Sequence, residues 1–319
     1  TGDIIDGDTH TCSQGMEDLY GVSISKDTPW AATIGNHDDN GDLTRSQVMD
    51  YILSLPKGVS SNNPLGTVGS ATESFGNFIL DIYPNEKSDI PVFRTFHLDA
   101  NTNNVSINAD QVNWFSTKAA ELSASSPAPA LAFFHIPLEE YKDAVRGGNE
   151  YCGLLHEPVS YNGQSGLFNA IKQDGSVKAT FVGHDHTNDF CTLYKGIQLC
   201  YEGSPGYQGY SGCNHNKKHC INRRARVTEI KDFGKIVQSW KRMATDYPMT
   251  EVIDNQLLWS VDGKTETDNL NGNERDLKFG SDCKGKTLHM SHSEYDLLTS
   301  NRAAHYLKMA KEKQQQQQP

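Results

Sequence analysis

Short apolar runs that stop at a glycine or a histidine recur along the first part of the chain. Pro29-Trp30-Ala31-Ala32-Thr33-Ile34, Ala130-Leu131-Ala132-Phe133-Phe134 and Val177-Lys178-Ala179-Thr180-Phe181-Val182 each have the length and composition of a buried strand. Phe75 to Tyr83 and Pro91 to Leu98 read as strands of a second sheet, and Gly196–Tyr201, Arg224–Ile230 and Lys235–Lys241 as further strand-like segments. Between the runs the period lengthens to that of helices. Thr44 is placed to cap a helix reaching about Leu55, with Val48, Tyr51, Ile52 and Leu55 on one face. Asn108 to about Ser123 presents Val112, Phe115, Ala119 and Leu122 inward, and shorter helices are expected at Glu139–Val145 and Gly166–Gln173. Strands alternating with helices through residues 1–200 predict an α/β layered fold.

From about residue 261 the periodicity fades into Asp, Asn, Gly and Lys and ends in Gln314–Gln318 and Pro319. Residues 261–319 are expected to be a polar, weakly ordered tail with one helix over 293–313. That tail is neutral, so the whole net charge of -11 falls in residues 1–260. An acidic domain of this kind argues against nucleic acid as a partner. Mean hydropathy is -0.61, and no apolar run approaches the roughly 18 residues needed to span a membrane.

Seven cysteines are present, none in a CxxC zinc spacing. Cys191 and Cys200 flank a predicted hairpin turning near Lys195-Gly196, which sets the two sulfurs across from each other. Cys213 and Cys220 bracket a His/Asn/Lys-rich loop and are candidates for a second bridge. With the sequon Asn104-Val105-Ser106, these features lean toward a secretory or extracellular location, whose targeting signal is expected upstream of Thr1.

The chemistry gathers at strand ends. Gly2-Asp3 reads as the exit from a strand whose body is expected before Thr1. Gly35-Asn36-His37-Asp38 follows the Pro29–Ile34 run, His135 follows the Ala130–Phe134 run, and Gly183-His184-Asp185-His186 follows the Val177–Val182 run. Asp38 to Asp42 has the carboxylates of a calcium loop but lacks the closing Glu of an EF-hand and follows a strand, so a calcium site is set aside. A lone His after an apolar run is ordinarily a core histidine, and His135 gains meaning only from its companions. In open α/β sheets ligands collect at the carboxyl ends of strands. Oxygen and imidazole donors from four such ends describe a transition-metal site.

These motifs, in this order, resemble the calcineurin-like metallophosphoesterase superfamily. The wording Phe133-Phe134-His135-Ile136-Pro137 and Gly183-His184-Asp185-His186-Thr187-Asn188-Asp189-Phe190-Cys191 is similar to its purple acid phosphatase-related branch. The resemblance covers about residues 1–242. It implies a β-sandwich flanked by helices (αββα layers), in a phosphoesterase domain expected over 1–260, and a dinuclear centre of Fe, Mn or Zn. It implies that Asp3 bridges two ions, that Asn36, His135 and His184 complete one site, and that His186 binds the other. His37 would contact the substrate phosphate and protonate or stabilise the leaving oxygen. Beside this, Asp38 is placed to orient His37, and Asp185 reads first as a turn-stabilising carboxylate, with orientation of an imidazole as the alternative. The superfamily's first Asp motif is expected upstream of this sequence. Asp6 stands where coloured members carry Tyr, so the tyrosinate band of an Fe(III) centre is not expected. The implied reaction is hydrolysis of phosphate monoesters, on a phosphorylated small molecule or a phosphoprotein. A catalytically impaired binding protein and a phosphodiesterase of the same superfamily are the alternatives. The cluster Arg223-Arg224-Ala225-Arg226 is expected to be a solvated face rather than a phosphate contact.

Overall fold

A computed structural model describes residues 2–5, 11–66, 73–100, 106–206, 221–244, 252–262 and 290–300. Besides a helix over 292–300, the described residues form α1 (Cys12–Ser25), α2 (Arg45–Ser54), α3 (Ala109–Ser125), α4 (Glu139–Arg146) and α5 (Leu167–Asp174). The strands are β1 (Phe78–Ile82), β2 (Phe93–His97), β3 (Ala130–Phe133), β4 (Tyr151–Cys152), β5 (Val177–Val182), β6 (Cys191–Tyr194), β7 (Ile197–Tyr201), β8 (Arg224–Lys231), β9 (Ile236–Met243) and β10 (Val252–Ser260). Seven of them form one mixed sheet in the order β1-β2-β3-β5-β7-β6-β4, and three form an antiparallel sheet, β10-β9-β8.

The alternation of side chains along β3 separates the two cores. Ala130 and Ala132 face a core shared with α3, α4 and α5, which includes Phe96, Phe115, Tyr141 and Phe168. Leu131 and Phe133 face the other way, into the layer between the sheets with Phe93, Phe181, Val237 and Leu258. The result is the two-sheet sandwich with helices outside that the resemblance implies. A third core joins α1 and α2 to Ile5, Trp30, Ala32 and Ile34.

Several expectations are met closely. Thr44 and Asn108 both close capping boxes, with Gln47 and Gln111 respectively. The hairpin turns at Lys195 and Gly196, both at positive φ, and brings Cys191 opposite Cys200, where they form a disulfide. Cys152 is also disulfide-bonded, and Cys12 is a free, buried thiol. The Cys213–Cys220 pairing and the sequon's Asn104 lie outside the described residues.

Others are corrected. Phe75–Tyr83 and Pro91–Leu98 do not found a second sheet. β1 and β2 extend the main one, because β2 pairs in parallel with β3 from Arg94↔Ala130 to His97↔Phe133. The second sheet is β8–β10, and β10 was not expected. Pro29–Ile34 is not a regular strand: it makes one isolated bridge, Trp30 to Gly58. Its backbone groups are used elsewhere. Trp30 exchanges hydrogen bonds with Lys57 and Val59, and the Ala32 N–H donates to Ser60 Oγ at 2.9 Å. α1 was missed, although Cys12, Met16 and Tyr20 recur at one-turn intervals and are all buried. The Arg224 and Arg226 side chains are not a solvated face either. Arg224 ion-pairs with Asp189, and Arg226 Nη2 donates to the Asp189 carbonyl at 2.6 Å.

Part of the expected tail is a packed helix over 292–300. Its Tyr295 is buried, and the hydroxyl accepts from the Val159 N–H at 3.0 Å. Asp296 meets Arg146 of α4. Residues 263–289 and 301–319 are outside the described set. No helix among the described residues is long and apolar enough to cross a membrane.

Candidate metal centre

β3 and β5 are parallel neighbours, so the residues that follow them emerge side by side. The pairing continues one step past the strands: Phe134 N–H donates to Phe181 O at 3.1 Å and Gly183 N–H to His135 O at 3.0 Å. This places His135 and His184 next to each other, ring centres 5.3 Å apart and nearly perpendicular. His184 holds a φ of 67° and Asp3 a φ of 48°, left-handed conformations that non-glycine residues keep at a cost of about 1–3 kcal/mol.

Asp3 arrives from a different direction and needs two glycines to do so. A Cβ on Gly35 would lie 2.1 Å from the Asp3 nitrogen, and one on Gly2 would lie 2.5 Å from His135 Nδ1. Asp3 Oδ2 then sits 3.0 Å from His135 Nε2, and its Oδ1 accepts from the His37 N–H at 2.9 Å. Burial works to raise the Asp3 carboxyl. The charge and hydrogen bond of His135 and the His37 N–H outweigh it and hold the group well below its ordinary value.

Asn36 reaches the same point. Its Oδ1 is 2.9 Å from His184 Nδ1. One carboxylate oxygen of Asp3 and one ring nitrogen each of His135 and His184 lie within 4.8 Å of one another. Carboxylate, amide carbonyl and two imidazoles are a donor set that suits Zn, Mn or Fe. His186 is half-buried. Burial pushes its imidazole down to about 4, against the opposing pull of Glu157 and Asp3, while His135 and His184 add to the lowering. It is therefore neutral near pH 7, the form that ligates metals.

His37 is exposed, with Nδ1 2.8 Å from Asn40 Nδ2. Asp38 does not have the expected place behind His37. It is fully buried and accepts from the Ile5 N–H at 3.1 Å and the Gly35 N–H at 2.6 Å, so it fastens the Asp3 segment to the Asn36 segment. Asp185 is also a backbone anchor: its Oδ2 accepts from the Ser160 N–H at 3.0 Å and the Tyr201 hydroxyl at 2.5 Å. Arg45 was not anticipated. It clamps the Gly35 carbonyl at 2.9 Å while pairing with Asp39 and Asp99. Only the pairing of elements far apart in sequence reveals these partners.

Two imidazoles that follow the parallel strands β3 and β5 meet a carboxylate and an amide brought in by the Asp3 and Asn36 loops, within a two-sheet sandwich, and together form a candidate metal centre. The chain belongs to the calcineurin-like phosphoesterase family, whose profile matches residues 1–188. It is related to purple acid phosphatases. It is 34% identical over 291 residues to the Arabidopsis thaliana protein named probable inactive purple acid phosphatase 29, covering 82% of this chain and 72% of that one. Probable inactive purple acid phosphatase 28 of the same plant is 32% identical, covering 82% and 71%. Phosphatase DCR2 of Saccharomyces cerevisiae is 30% identical over 266 residues, covering 76% and 44%. The fold is also that of a dimetal phosphatase from Danio rerio, with a TM-score of 0.51, 13% identity and coverage of 81% and 82%.

Proposed function

We propose that this protein hydrolyses phosphate monoesters at a dinuclear metal centre. The observation that carries the reading is the meeting of Asp3, Asn36, His135 and His184 at one point. In this reading those four residues hold one ion, and Asp3 extends to a second ion held by His186. When bound, such a pair acidifies water and neutralises charge developing on the phosphoryl oxygens. The chain's own groups do the rest. Asp3 stays ionised because its neighbours hold its carboxyl low. His37, its Nδ1 beside Asn40, is the exposed hydrogen-bond donor to the substrate phosphate and the leaving oxygen. Asp38 and Arg45 keep the loop carrying Asn36 and His37 in register with Asp3.

The substrate is a phosphorylated small molecule or a phosphoprotein, and the domain that acts on it takes in residues 1–260. The disulfide at Cys191–Cys200 supports a secretory or extracellular setting for this activity. The test is turnover of p-nitrophenyl phosphate after loading with Mn, Fe or Zn. The expected result is metal-dependent hydrolysis, lost in His135→Ala and His184→Ala, and slower turnover of bis(p-nitrophenyl) phosphate. Faster turnover of the diester would make the protein a phosphodiesterase.

A second reading is favoured by the word inactive in the names of two plant relatives. The same residues then bind metal and phosphate without turnover. Metal and phosphate binding by calorimetry, with no hydrolysis of either ester in any metal form, would establish it.

A further inference from the structure

The segment 154–160 has no regular secondary structure, yet it is bonded along its length to the loop that carries His184 and His186. Leu154 and Asp189 face each other: the Leu154 N–H donates to Asp189 Oδ1 at 2.6 Å, and the Asp189 N–H to Leu154 O at 2.9 Å. Asn188 Oδ1 accepts from the N–H groups of His156 at 2.9 Å and Glu157 at 3.1 Å, and its Nδ2 donates to Glu157 O at 2.9 Å. The Ser160 N–H donates to Asp185. The approach is so close that a Cβ on Gly153 would lie 2.6 Å from Asp189 Oδ1. From behind, Tyr295 of the 292–300 helix holds Val159.

One side chain of this brace acts beside the ligand. Glu157 is 7% exposed, and its Oε1 accepts from the Thr187 N–H at 2.7 Å. That N–H belongs to the residue immediately after His186. The hydrogen bond therefore fixes the backbone from which the His186 imidazole projects.

We infer that Glu157 is a positioning residue for the second metal ion, acting through Thr187 to hold His186 toward the centre. The inference rests on the two-ion reading above. Groups that orient a ligand without touching the metal typically change its affinity by about 10–100-fold when removed. Because the effect runs through the hydrogen bond from the Thr187 N–H, whose reach is fixed, side-chain length matters more than charge. A glutamine at 157 keeps the acceptor in place. An aspartate keeps the charge but falls one methylene short.

The experiment is calorimetric titration of the metal-stripped full-length protein with Mn²⁺, comparing wild type, E157Q and E157D. The expected result is two ions in all three proteins, with first-ion affinity unchanged. Second-ion affinity should stay within about threefold in E157Q and fall about tenfold or more in E157D. E157D is conservative enough to fold, and circular dichroism of each variant verifies it. If E157D does not fold, E157Q together with Thr187→Pro, which deletes the N–H, carries the same comparison. Second-ion binding unchanged in E157D overturns the inference, as does equal weakening of both ions or a greater loss in E157Q than in E157D. A wild-type protein that binds fewer than two Mn²⁺ ions overturns the two-ion reading itself, and this inference with it.

Discussion

Asp3 Oδ2 lies 3.0 Å from His135 Nε2, with both side chains largely shielded from water. The pair is more than a ligand arrangement, because it ties acid stability to the site. His135 keeps the Asp3 carboxyl below its ordinary value in spite of burial. A carboxylate depressed in the folded state adds stability above the unfolded value of about 4, and that stability is lost as pH falls below it. In the metal-free protein, Asp3→Asn is expected to cost roughly 1–2 kcal/mol at pH 6 and progressively less toward pH 3. Urea unfolding at a series of pH values measures the difference. A cost that does not shrink on acidification would show that the carboxylate is not held by its charge.

Gly35 is the point at which the Asp3 segment passes closest to the Asn36 loop. An alanine there would place a methyl 2.1 Å from the Asp3 nitrogen and 2.4 Å from its Oδ1. Gly35→Ala is expected to destabilise by about 3 kcal/mol and to abolish tight metal binding, because backbone and ligand must both shift. Gly21 is the control. It lies inside α1 with nothing within 4 Å of its would-be Cβ, so Gly21→Ala is expected to gain about 0.5–1 kcal/mol. Thermal melts of the two variants should move in opposite directions.

The candidate ligands were legible in the sequence where they follow true strands. His135 and His184 come straight after β3 and β5, whose apolar runs announce them. Trp30–Ile34 carries the same announcement without being a strand, because Lys57, Val59 and Ser60 take its hydrogen bonds. The roles of Asp38, Arg45 and Glu157 were not legible. Each is defined by a partner far along the chain: Ile5 N–H for Asp38, the Asp99 carboxylate for Arg45, Thr187 N–H for Glu157. Arg224 and Arg226 misled for the converse reason. A basic strand is read as solvated unless its buried carboxylate, here Asp189, is already known.

His97 supplies a second acid-sensitive point, outside the centre. Its ring stacks between Phe78 at 4.4 Å and Phe133 at 5.2 Å, with the hydroxyls of Thr33 and Thr95 at its two nitrogens. Burial pushes the imidazole down to about 3. Below about pH 6.5 the unfolded chain takes up a proton that the folded chain refuses, so stability falls with pH from there toward 3. The expected slope from this residue is about 1.4 kcal/mol per pH unit. His97→Phe keeps the stack and removes the titration. It should cost about 1 kcal/mol at pH 7 and flatten the loss between pH 6 and 4, as read by guanidinium unfolding. An unchanged slope in the variant would assign the acid sensitivity elsewhere.

Lys241 joins the second sheet to the loop of the metal centre. Its ammonium is fully buried between Asp189, at 2.5 Å, and Asp254. Asp189 also receives Arg224, and its carbonyl receives Arg226. The attraction in such a cluster is offset by the cost of desolvating every member, so its presence does not measure its contribution to stability. Removing a single member is different, because the partners stay buried without their counter-charge. Lys241→Met is therefore expected to destabilise by about 3–5 kcal/mol. Asp254 loses this ion pair, whereas Asp189 keeps its pair with Arg224. Neutralising it should recover part of the loss: K241M/D254N is expected to be more stable than K241M by about 1–2 kcal/mol, although D254N alone destabilises. Asp189 ends the loop that begins at Gly183, so K241M should also weaken metal binding while D254N should not. Urea unfolding of the four proteins closes the double-mutant cycle. A cycle in which the two substitutions simply add would mean that Lys241 and Asp254 do not act on each other, and that the lysine holds the loop through Asp189 alone.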